Sequence, residues 1–301
     1  MEKTKKDSNK TIAVIGAGNV GLSMAQLFSN TSHDVVLGVR NVTSAKSLTS
    51  KFNLKLTIKT AKQAINNADI VILAVTDSSI EELCHSLEKH FKTGAIVTHC
   101  SGALSSSILQ SARESDCHIA STHPLNSFPN IAASLEKFST AKHGSYLYTE
   151  GDQQAVLILS ELFEQIGFTI VEIEQQNKVL YHAACVFACN YLTSLMDISL
   201  QTAAFAKLDQ DEFWQAIQPL IQTTLTNISL NGTSQSLSGP IARGDHETIL
   251  KHLETLNQQS NELANSYIDL GKHALRLAEQ RGELTTDQLQ QIASILEQSE
   301  K

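Results

Sequence analysis

The sequence predicts a doubly wound, mostly parallel α/β sheet followed by an all-α domain. Short β-type runs alternate with helical patterns between residues 11 and 174, and repeated β–α units build parallel sheets covered on both faces. The run Asp69–Val75 is continuously apolar, as expected for a strand buried on both faces of such a sheet. After Glu174 only helical patterns follow. The predicted domains are therefore a disordered tail at 1–10, an α/β domain at 11–174 and a helical domain at 175–301.

The elements follow in a regular order, which the spacing of apolar residues predicts. Strands are predicted where apolar and β-branched residues cluster, at 12–15, 33–39, 54–58, 69–75, 95–99, 118–122, 145–148 and 168–173. Helices are predicted between them, at 22–28, 44–51, 61–66, 77–90, 105–113 and 153–166. In the second domain the helical patterns cover 177–208, 211–231, 246–280 and 285–298.

Composition excludes several function classes. The 301 residues are 42% apolar and carry a net charge of −8, which argues against general binding to nucleic acid or to an anionic membrane. The five cysteines show neither metal-ligand nor disulfide spacing, so a reducing cytoplasm is expected. No transmembrane helix is expected, because no run of about 18 apolar residues lacks polar interruption. The closest stretch, 181–200, is predicted to be a buried helix.

The most informative motif is Gly16-Ala-Gly-Asn-Val-Gly21, which follows an apolar strand and opens an amphipathic helix. Gly16 permits a tight turn, Gly18 lets the backbone approach a pyrophosphate, and Gly21 lets the helix pack close to the strand. The free N–H groups and the positive dipole end of that helix favour phosphate. In this strand–turn–helix context the motif predicts a Rossmann dinucleotide-binding domain.

The end of the second strand indicates which dinucleotide is bound. Sites for NAD usually have an acid there to bond the ribose 2′-hydroxyl, whereas this chain has Arg40 and Asn41. Because a guanidinium suits a 2′-phosphate, NADPH is predicted. The alternative is that Arg40 stacks on adenine or is solvated. The predicted cofactor-binding residues are Gly16, Gly18, Asn19, Val20, Gly21, Arg40, Asn41, Ala74, Val75 and Thr76.

Substrate groups are expected at the carboxyl ends of later strands, where doubly wound sheets bind ligands. Ser101 and Gly102 offer a hydroxyl and an unhindered N–H after one strand, and His123 ends the next. The alternatives are an ordinary turn at Ser101 and a structural histidine bonded to a backbone carbonyl. Asp77 also follows a strand, where it is equally well explained as a helix N-cap.

The helical domain is expected to close the other side of the site. Lys178 and His182 are four residues apart and share a helix face, with Asn190 two turns further on. Polar groups on an otherwise apolar helix need partners, and either the substrate or the protein core can supply them. Arg243, on a glycine-flanked loop, is predicted to clamp a carboxylate.

These motifs together resemble a bacterial oxidoreductase family. Besides the glycine motif they are His99-Cys-Ser-Gly-Ala103, His123-Pro124, Tyr181-His-Ala-Ala184 with Asn190, and Gly239-Pro-Ile-Ala-Arg-Gly-Asp245. That family joins a Rossmann-like domain to a helical domain of unknown function, and is distantly similar to the 6-phosphogluconate dehydrogenase superfamily, which includes pyrroline-5-carboxylate reductase and ketopantoate reductase. Some members of the closer family act as an alternative ketopantoate reductase in pantothenate synthesis.

The resemblance implies NADPH-dependent reduction of a small carboxylate-bearing carbonyl compound. The ketopantoate reductase pattern has a lysine followed by asparagines four and eight residues later, whereas this chain has His182 and Val186 after Lys178. We therefore expect Lys178 or His182 to donate the proton, Asn190 to orient the carbonyl, and Ser101 with Arg243 to hold the carboxylate.

Ketopantoate is the first expected substrate, and a cyclic imine such as pyrroline-5-carboxylate is the enzymatic alternative. A cofactor-binding sensor without catalysis is the alternative from another class. A cytoplasmic homodimer that holds no metal and binds neither nucleic acid nor membrane is expected.

Overall fold

The computed structural model describes residues 9–139 and 142–298, so most of the predicted tail at 1–10 lies outside the described residues. The chain divides into two compact units, the first ending at Cys189 and the second beginning at Asn190. The sheet occupies the first unit and ends at Glu172. That unit also includes the helix that follows the predicted boundary at residue 174.

The first unit is built on one eight-stranded sheet, which confirms the predicted fold class. Its spatial order is β3-β2-β1-β4-β5-β6-β7-β8, and every neighbouring pair is parallel except β6 and β7. Because β1 lies between β2 and β4, the chain reverses direction across the sheet there, which opens a crevice at the carboxyl ends of these strands. The strands are β1 Thr11–Ile15, β2 Asp34–Val39, β3 Thr57–Thr60, β4 Ile70–Leu73, β5 Ile96–His99, β6 His118–Leu125, β7 Tyr146–Gly151 and β8 Thr169–Glu172.

Helices cover both faces of the sheet and bury two apolar clusters. One cluster centres on Phe28, Phe138 and Phe163, and the other on Ile80 and Leu109. The helices of this unit are α1 Asn19–Ser29, α2 Val42–Lys51, α3 Ala61–Ile65, α4 Asp77–Leu87, α5 Gln110–Glu114, α6 Ile131–Lys137, α7 Gln153–Gln165 and α8 Lys178–Cys185. The sequence patterns missed α6, a short helix whose N-cap Asn130 accepts a hydrogen bond from Ala133 N–H (3.0 Å).

Strand β6 runs three residues beyond its predicted end at 122. Its pairing with β5 ends at Ser121, whereas its pairing with β7 continues, with His123 opposite Tyr148. Pro124 lacks an N–H donor and is tolerated in this strand because only one neighbour remains there. The extension carries His123 past the end of β5.

The second unit is all helical, as predicted, around an apolar core that includes Ile249, Ile268 and Leu296. The predicted helix at 246–280 is two helices that meet at Ser260, which caps the second. The predicted helix at 177–208 contains a π-helical turn at Val186–Asn190. The helices are α9 Tyr191–Phe205, α10 Gln210–Ser236, α11 Pro240–Arg243, α12 His246–Gln259, α13 Asn261–Arg281 and α14 Thr286–Gln298.

The prediction that 181–200 forms a buried helix is wrong for the single chain. Within the described residues, the stretch Gln175–Phe205 is long and apolar enough to cross a membrane by length and composition alone, and none of its most apolar window is buried. Among the residues of α8, only Lys178 is buried. The stretch is apolar, as predicted, but it is not buried.

Helix α8 is tied to the sheet by the side chain of Lys178, which is only 2% exposed. Its Nζ donates to the carbonyl of Ser101 (3.1 Å) and to Ser121 Oγ, and it lies 3.8 Å from Glu150 Oε1. Glu150 in turn accepts hydrogen bonds from the N–H and hydroxyl of Ser106, both 2.7 Å long. One buried amine thus connects α8 to the segments that follow β5 and to β6 and β7.

We expect Lys178→Met to destabilise the protein by roughly 3–5 kcal/mol, because it leaves the buried Glu150 carboxylate without its cation. The double variant Lys178→Met/Glu150→Gln should lose less, since no unpaired buried charge remains. Urea unfolding measures both changes. The exposed Lys89→Met is the matched control and should stay within about 0.5 kcal/mol of wild type. A loss in Lys178→Met no larger than that of the control would contradict the anchoring role.

Candidate active site

The glycine motif forms the predicted cradle between β1 and α1. Gly16 has a φ of +118°, and a Cβ there would collide with the carbonyl of Ala74. A Cβ on Gly21 would overlap the carbonyl of Gly16, so helix α1 can pack this closely only with glycine. By contrast, a Cβ on Gly18 would meet nothing within 4 Å. The backbone at Gly18 therefore faces open space, where a pyrophosphate could approach it.

The N-terminus of α1 is suited to an anion. Gly18 is its N-cap and supplies no side-chain acceptor, and the first turn holds no acidic residue. The side chain of Asn19 does not cap the helix, because it donates a hydrogen bond to the carbonyl of Phe128 (2.7 Å). The first N–H groups of an eleven-residue helix are thus left for a ligand.

A cleft of about 1290 Å³ opens above this cradle. Nine of the ten predicted cofactor residues line it, and the tenth, Gly21, lies beneath as a packing residue. The cleft also extends to Cys100, just after β5, and to Phe128. Its size and lining fit a dinucleotide that runs from the end of β2 to the end of β5.

The adenosine end of the cleft is basic. Arg40 is exposed and lines the cleft, whereas the acid of the same strand, Asp34, stands at its opposite end. Lys62, which sequence reasoning missed, lines the cleft too, because the turn after β3 brings α3 beside β2. The side chain of Asn41 is used as the N-cap of α2, where it accepts from Ser44 N–H (3.0 Å).

The structure uses Ser101 differently from the expectation that its hydroxyl holds substrate. The hydroxyl donates to Asp77 Oδ2 (2.7 Å) and accepts from the N–H groups of Ala103 and Leu104. No proton of this hydroxyl remains for a ligand, so Ser101 shapes the loop instead. Asp77 is the first residue of α4, and Thr76 rather than Asp77 is the N-cap.

Gly102 lies where two histidine rings converge. A Cβ on Gly102 would sit 2.5 Å from His182 Nδ1 and 2.9 Å from His123 Nε2. Only glycine therefore fits between them. The N–H of Gly102 has no hydrogen-bond partner within the described ranges. His182 Nδ1 is likewise buried and without a partner there. Two of the predicted site residues thus present unsatisfied polar groups side by side.

His123 is held by Tyr181, a residue to which the sequence assigned no role. Burial, with the nearby charges of Lys178 and His182, lowers the pKa of His123 to about 4, and burial raises the pKa of Tyr181. The Tyr181 hydroxyl and His123 Nδ1, both neutral, share a hydrogen bond of 2.8 Å. Tyr148 stacks on Tyr181 with ring centroids 4.3 Å apart. The other ring nitrogen of His123, Nε2, faces Gly102.

The expectation that Lys178 donates the proton is corrected by its burial. Its amine is already engaged by Ser101, Ser121 and Glu150, and desolvation lowers its pKa to about 8. These contacts tie Lys178 to the loop that carries Ser101. His182 stays the candidate donor of the predicted pair.

Two predicted residues belong to the second unit. Asn190 is its first residue and is exposed. Arg243 is exposed and lines a separate cavity of the helical unit. Their roles in orienting a carbonyl and clamping a carboxylate stay predictions.

Comparison with known families supports this assignment of the first unit. Residues 11–102 match the family model described as NADP oxidoreductase, coenzyme F420-dependent. Residues 145–274 match a domain of unknown function, DUF2520. A curated relative, the glycerol-3-phosphate dehydrogenase [NAD(P)+] of Wolbachia pipientis subsp. Culex pipiens, is 25% identical over 199 residues. That match covers 62% of this chain and 57% of the relative, so the chain spans just over half of the relative's length.

Solved structures share the fold over nearly the whole chain. The protein TM1727 from Thermotoga maritima is 24% identical, with a TM-score of 0.65 over 90% of this chain and 100% of its own. The pyrroline carboxylate reductase of Plasmodium falciparum, solved with NADP bound, is 12% identical, with a TM-score of 0.59 over 95% and 98% of the two chains. The two-domain resemblance seen in the sequence is confirmed: the chain joins a dinucleotide-binding domain of the NADP oxidoreductase type to a DUF2520 domain.

Proposed function

We propose that the protein is an NADPH-dependent reductase of a small carboxylate-bearing carbonyl compound. The main support is a pair of polar groups that lack hydrogen-bond partners among the described residues, His182 Nδ1 and Gly102 N–H. Gly102 lies two residues after Cys100, which lines the end of the cofactor cleft. Buried donors without partners are uncommon in folded proteins and are often functional. A carbonyl oxygen is an acceptor that could satisfy both.

The roles of the side chains follow from this placement. Bound NADPH would supply a hydride to the carbonyl carbon. His182 would give its proton to the developing alkoxide, and Gly102 N–H would donate a hydrogen bond to the same oxygen. His123, fixed by Tyr181, would hold its Nε2–H toward that oxygen. Lys178 would keep the Ser101–Gly102 loop in place from beneath.

NADPH is the proposed cofactor because Arg40 and Lys62 both line the adenosine end of the cleft. Their charges suit a 2′-phosphate, whereas an NAD site would offer an acid to the 2′-hydroxyl.

Ketopantoate is our first proposed substrate, on the resemblance of the sequence motifs. An imine such as pyrroline-5-carboxylate is the second, favoured by the shared fold with pyrroline carboxylate reductases. Both compounds carry a carboxylate near the carbon that accepts the hydride: it is bonded to that carbon in ketopantoate, and it lies across the ring nitrogen from it in pyrroline-5-carboxylate. The five free cysteines suit the proposed cytoplasmic location.

We expect Arg40→Ala to raise the Kd for NADPH about tenfold to a hundredfold, since a hydrogen bond to a charged group contributes about 1.5–3 kcal/mol. The Kd for NADH should change less than twofold. Nicotinamide fluorescence titration measures both constants. Lys46→Ala is the matched control, because Lys46 lies on α2 yet does not line the cleft. Equal affinities for NADPH and NADH in the wild type would contradict the 2′-phosphate site.

We expect wild-type protein to oxidise NADPH with ketopantoate or pyrroline-5-carboxylate, followed at 340 nm. His182→Gln should lower kcat by roughly 10²–10⁴-fold, the usual contribution of a positioned general acid, with the Kd for NADPH unchanged. The exposed His90→Gln should retain wild-type kcat. Tight NADPH binding with no oxidation by any small carbonyl or imine compound would overturn the reductase and favour the sensor. Undiminished kcat in His182→Gln would remove His182 from the mechanism.

We also propose that a second copy of the chain covers the apolar surface of α10. Its 27 residues, interrupted by a kink at Gly232, include no buried residue, and Leu220 and Leu230 are 63% and 75% exposed. Exposed apolar patches of this extent mark interaction sites.

Sedimentation velocity at micromolar concentration should therefore give twice the mass of one chain. Leu220→Glu/Leu230→Glu should shift the protein to monomer, while an exchange elsewhere, Leu157→Glu on α7, should leave the dimer intact. A monomeric wild type would overturn this proposal.

A further inference from the structure

The helical unit has a polar cavity that the proposed reductase chemistry does not use. Its volume is about 750 Å³. The walls come from the end of α10, the loop that follows it, α11, the end of α13 and the start of α14. Arginine, amide and hydroxyl side chains line it, namely Asn227, Asn231, Gln235, Ser236, Arg243, Arg281 and Gln288.

Two donors in this cavity lack acceptors. Arg281 is partly committed, since its Nη1 donates to the carbonyl of Leu237 (3.0 Å) and its Nη2 pairs with Glu283 (2.7 Å). Its Nε is buried and has no hydrogen-bond partner among the described residues. The same holds for the hydroxyl of Ser236, which lines the same cavity. Buried donors nearly always have acceptors in folded proteins, so this pair points to a ligand that accepts hydrogen bonds.

The charge of the cavity indicates which acceptor fits. Arg243 is exposed, and no ion pair involves it in the described part of the chain. With Arg281 and one opposing carboxylate, Glu283, the lining carries a net positive charge. A guanidinium binds carboxylate and phosphate oxygens through parallel, charge-assisted hydrogen bonds. An oxyanion would therefore satisfy the unpartnered donors and complement the net positive charge of the lining.

One wall of the cavity is held firmly. A Cβ on Gly244 would sit 2.5 Å from Gln288 Nε2, so the glycine after α11 lets that segment close against α14. Gly244 has a φ of +70°, which also favours glycine. Arg243 is the residue immediately before this fixed point. Its backbone is therefore held at the rim of the cavity.

We propose that this cavity binds the oxyanion group, carboxylate or phosphate, of a small molecule through Arg243, Arg281 Nε and Ser236. Arg243, which the sequence predicts to bind a carboxylate, would act in this cavity together with Arg281 and Ser236 of the same unit. The binding requires neither NADPH nor turnover, so it goes beyond the reductase proposal and can be tested separately from it.

The test is isothermal titration of the full chain, without NADPH, with inorganic phosphate and with succinate. We expect saturable binding of at least one of them. Binding of phosphate alone identifies a phosphate ester as the ligand class, and binding of succinate alone identifies a carboxylate. Arg243→Gln should weaken binding at least tenfold, and Ser236→Ala should weaken it measurably while leaving thermal stability unchanged or higher.

Arg276→Gln is the matched control, since Arg276 lies on α13 outside the cavity and is exposed. It removes the same charge and should leave the Kd unchanged. Absence of saturable binding for both anions would overturn the proposal. Equal weakening by Arg243→Gln and Arg276→Gln would also overturn it, because binding would then reflect only the net charge of the protein.

Discussion

The buried amine of Lys178 is the interaction on which the candidate active site depends. Its Nζ contacts Ser101, Ser121 and Glu150, and so joins α8 to the loop after β5 and to strands β6 and β7. Burying a lysine is unfavourable unless it is paired and hydrogen-bonded, and here Ser101, Ser121 and Glu150 supply the partners. The helix that carries His182 is thereby fixed over Gly102. Lys178 and Ser101, 77 positions apart in the sequence, meet through this contact.

The cofactor half of the site depends on backbone geometry instead. Each glycine of the motif meets a different steric requirement. Gly16 allows a turn with positive φ, Gly18 leaves open space for a ligand, and Gly21 allows α1 to pack closely. Such demands are local, so three glycines between a strand and a helix were enough to predict the cradle. The basic end of the cleft was predicted in part, since Arg40 follows directly from β2. Lys62 could not be found, because only the pairing of β2 with β3 brings it near.

Features set by local contacts could be predicted from the sequence, whereas features set by long-range contacts could not. The strands were predicted because their apolar runs need no knowledge of partners. The use of Ser101 was not, since its acceptor Asp77 lies 24 residues earlier in the chain. The burial of Lys178 was missed because its stabilising partners come from three other segments. The opposite error, at 181–200, arose because an apolar helix has the same sequence pattern whether or not the rest of the chain buries it.

We place the reacting end of the bound cofactor beside Gly102 and His182. The most direct test is a crystal structure of the protein with NADPH. We predict that the pyrophosphate contacts the backbone at Gly18, that the 2′-phosphate lies between Arg40 and Lys62, and that C4 of the nicotinamide faces Gly102 and His182. A nicotinamide ring that points away from both residues, with the pyrophosphate still on Gly18, would contradict the proposed catalytic site.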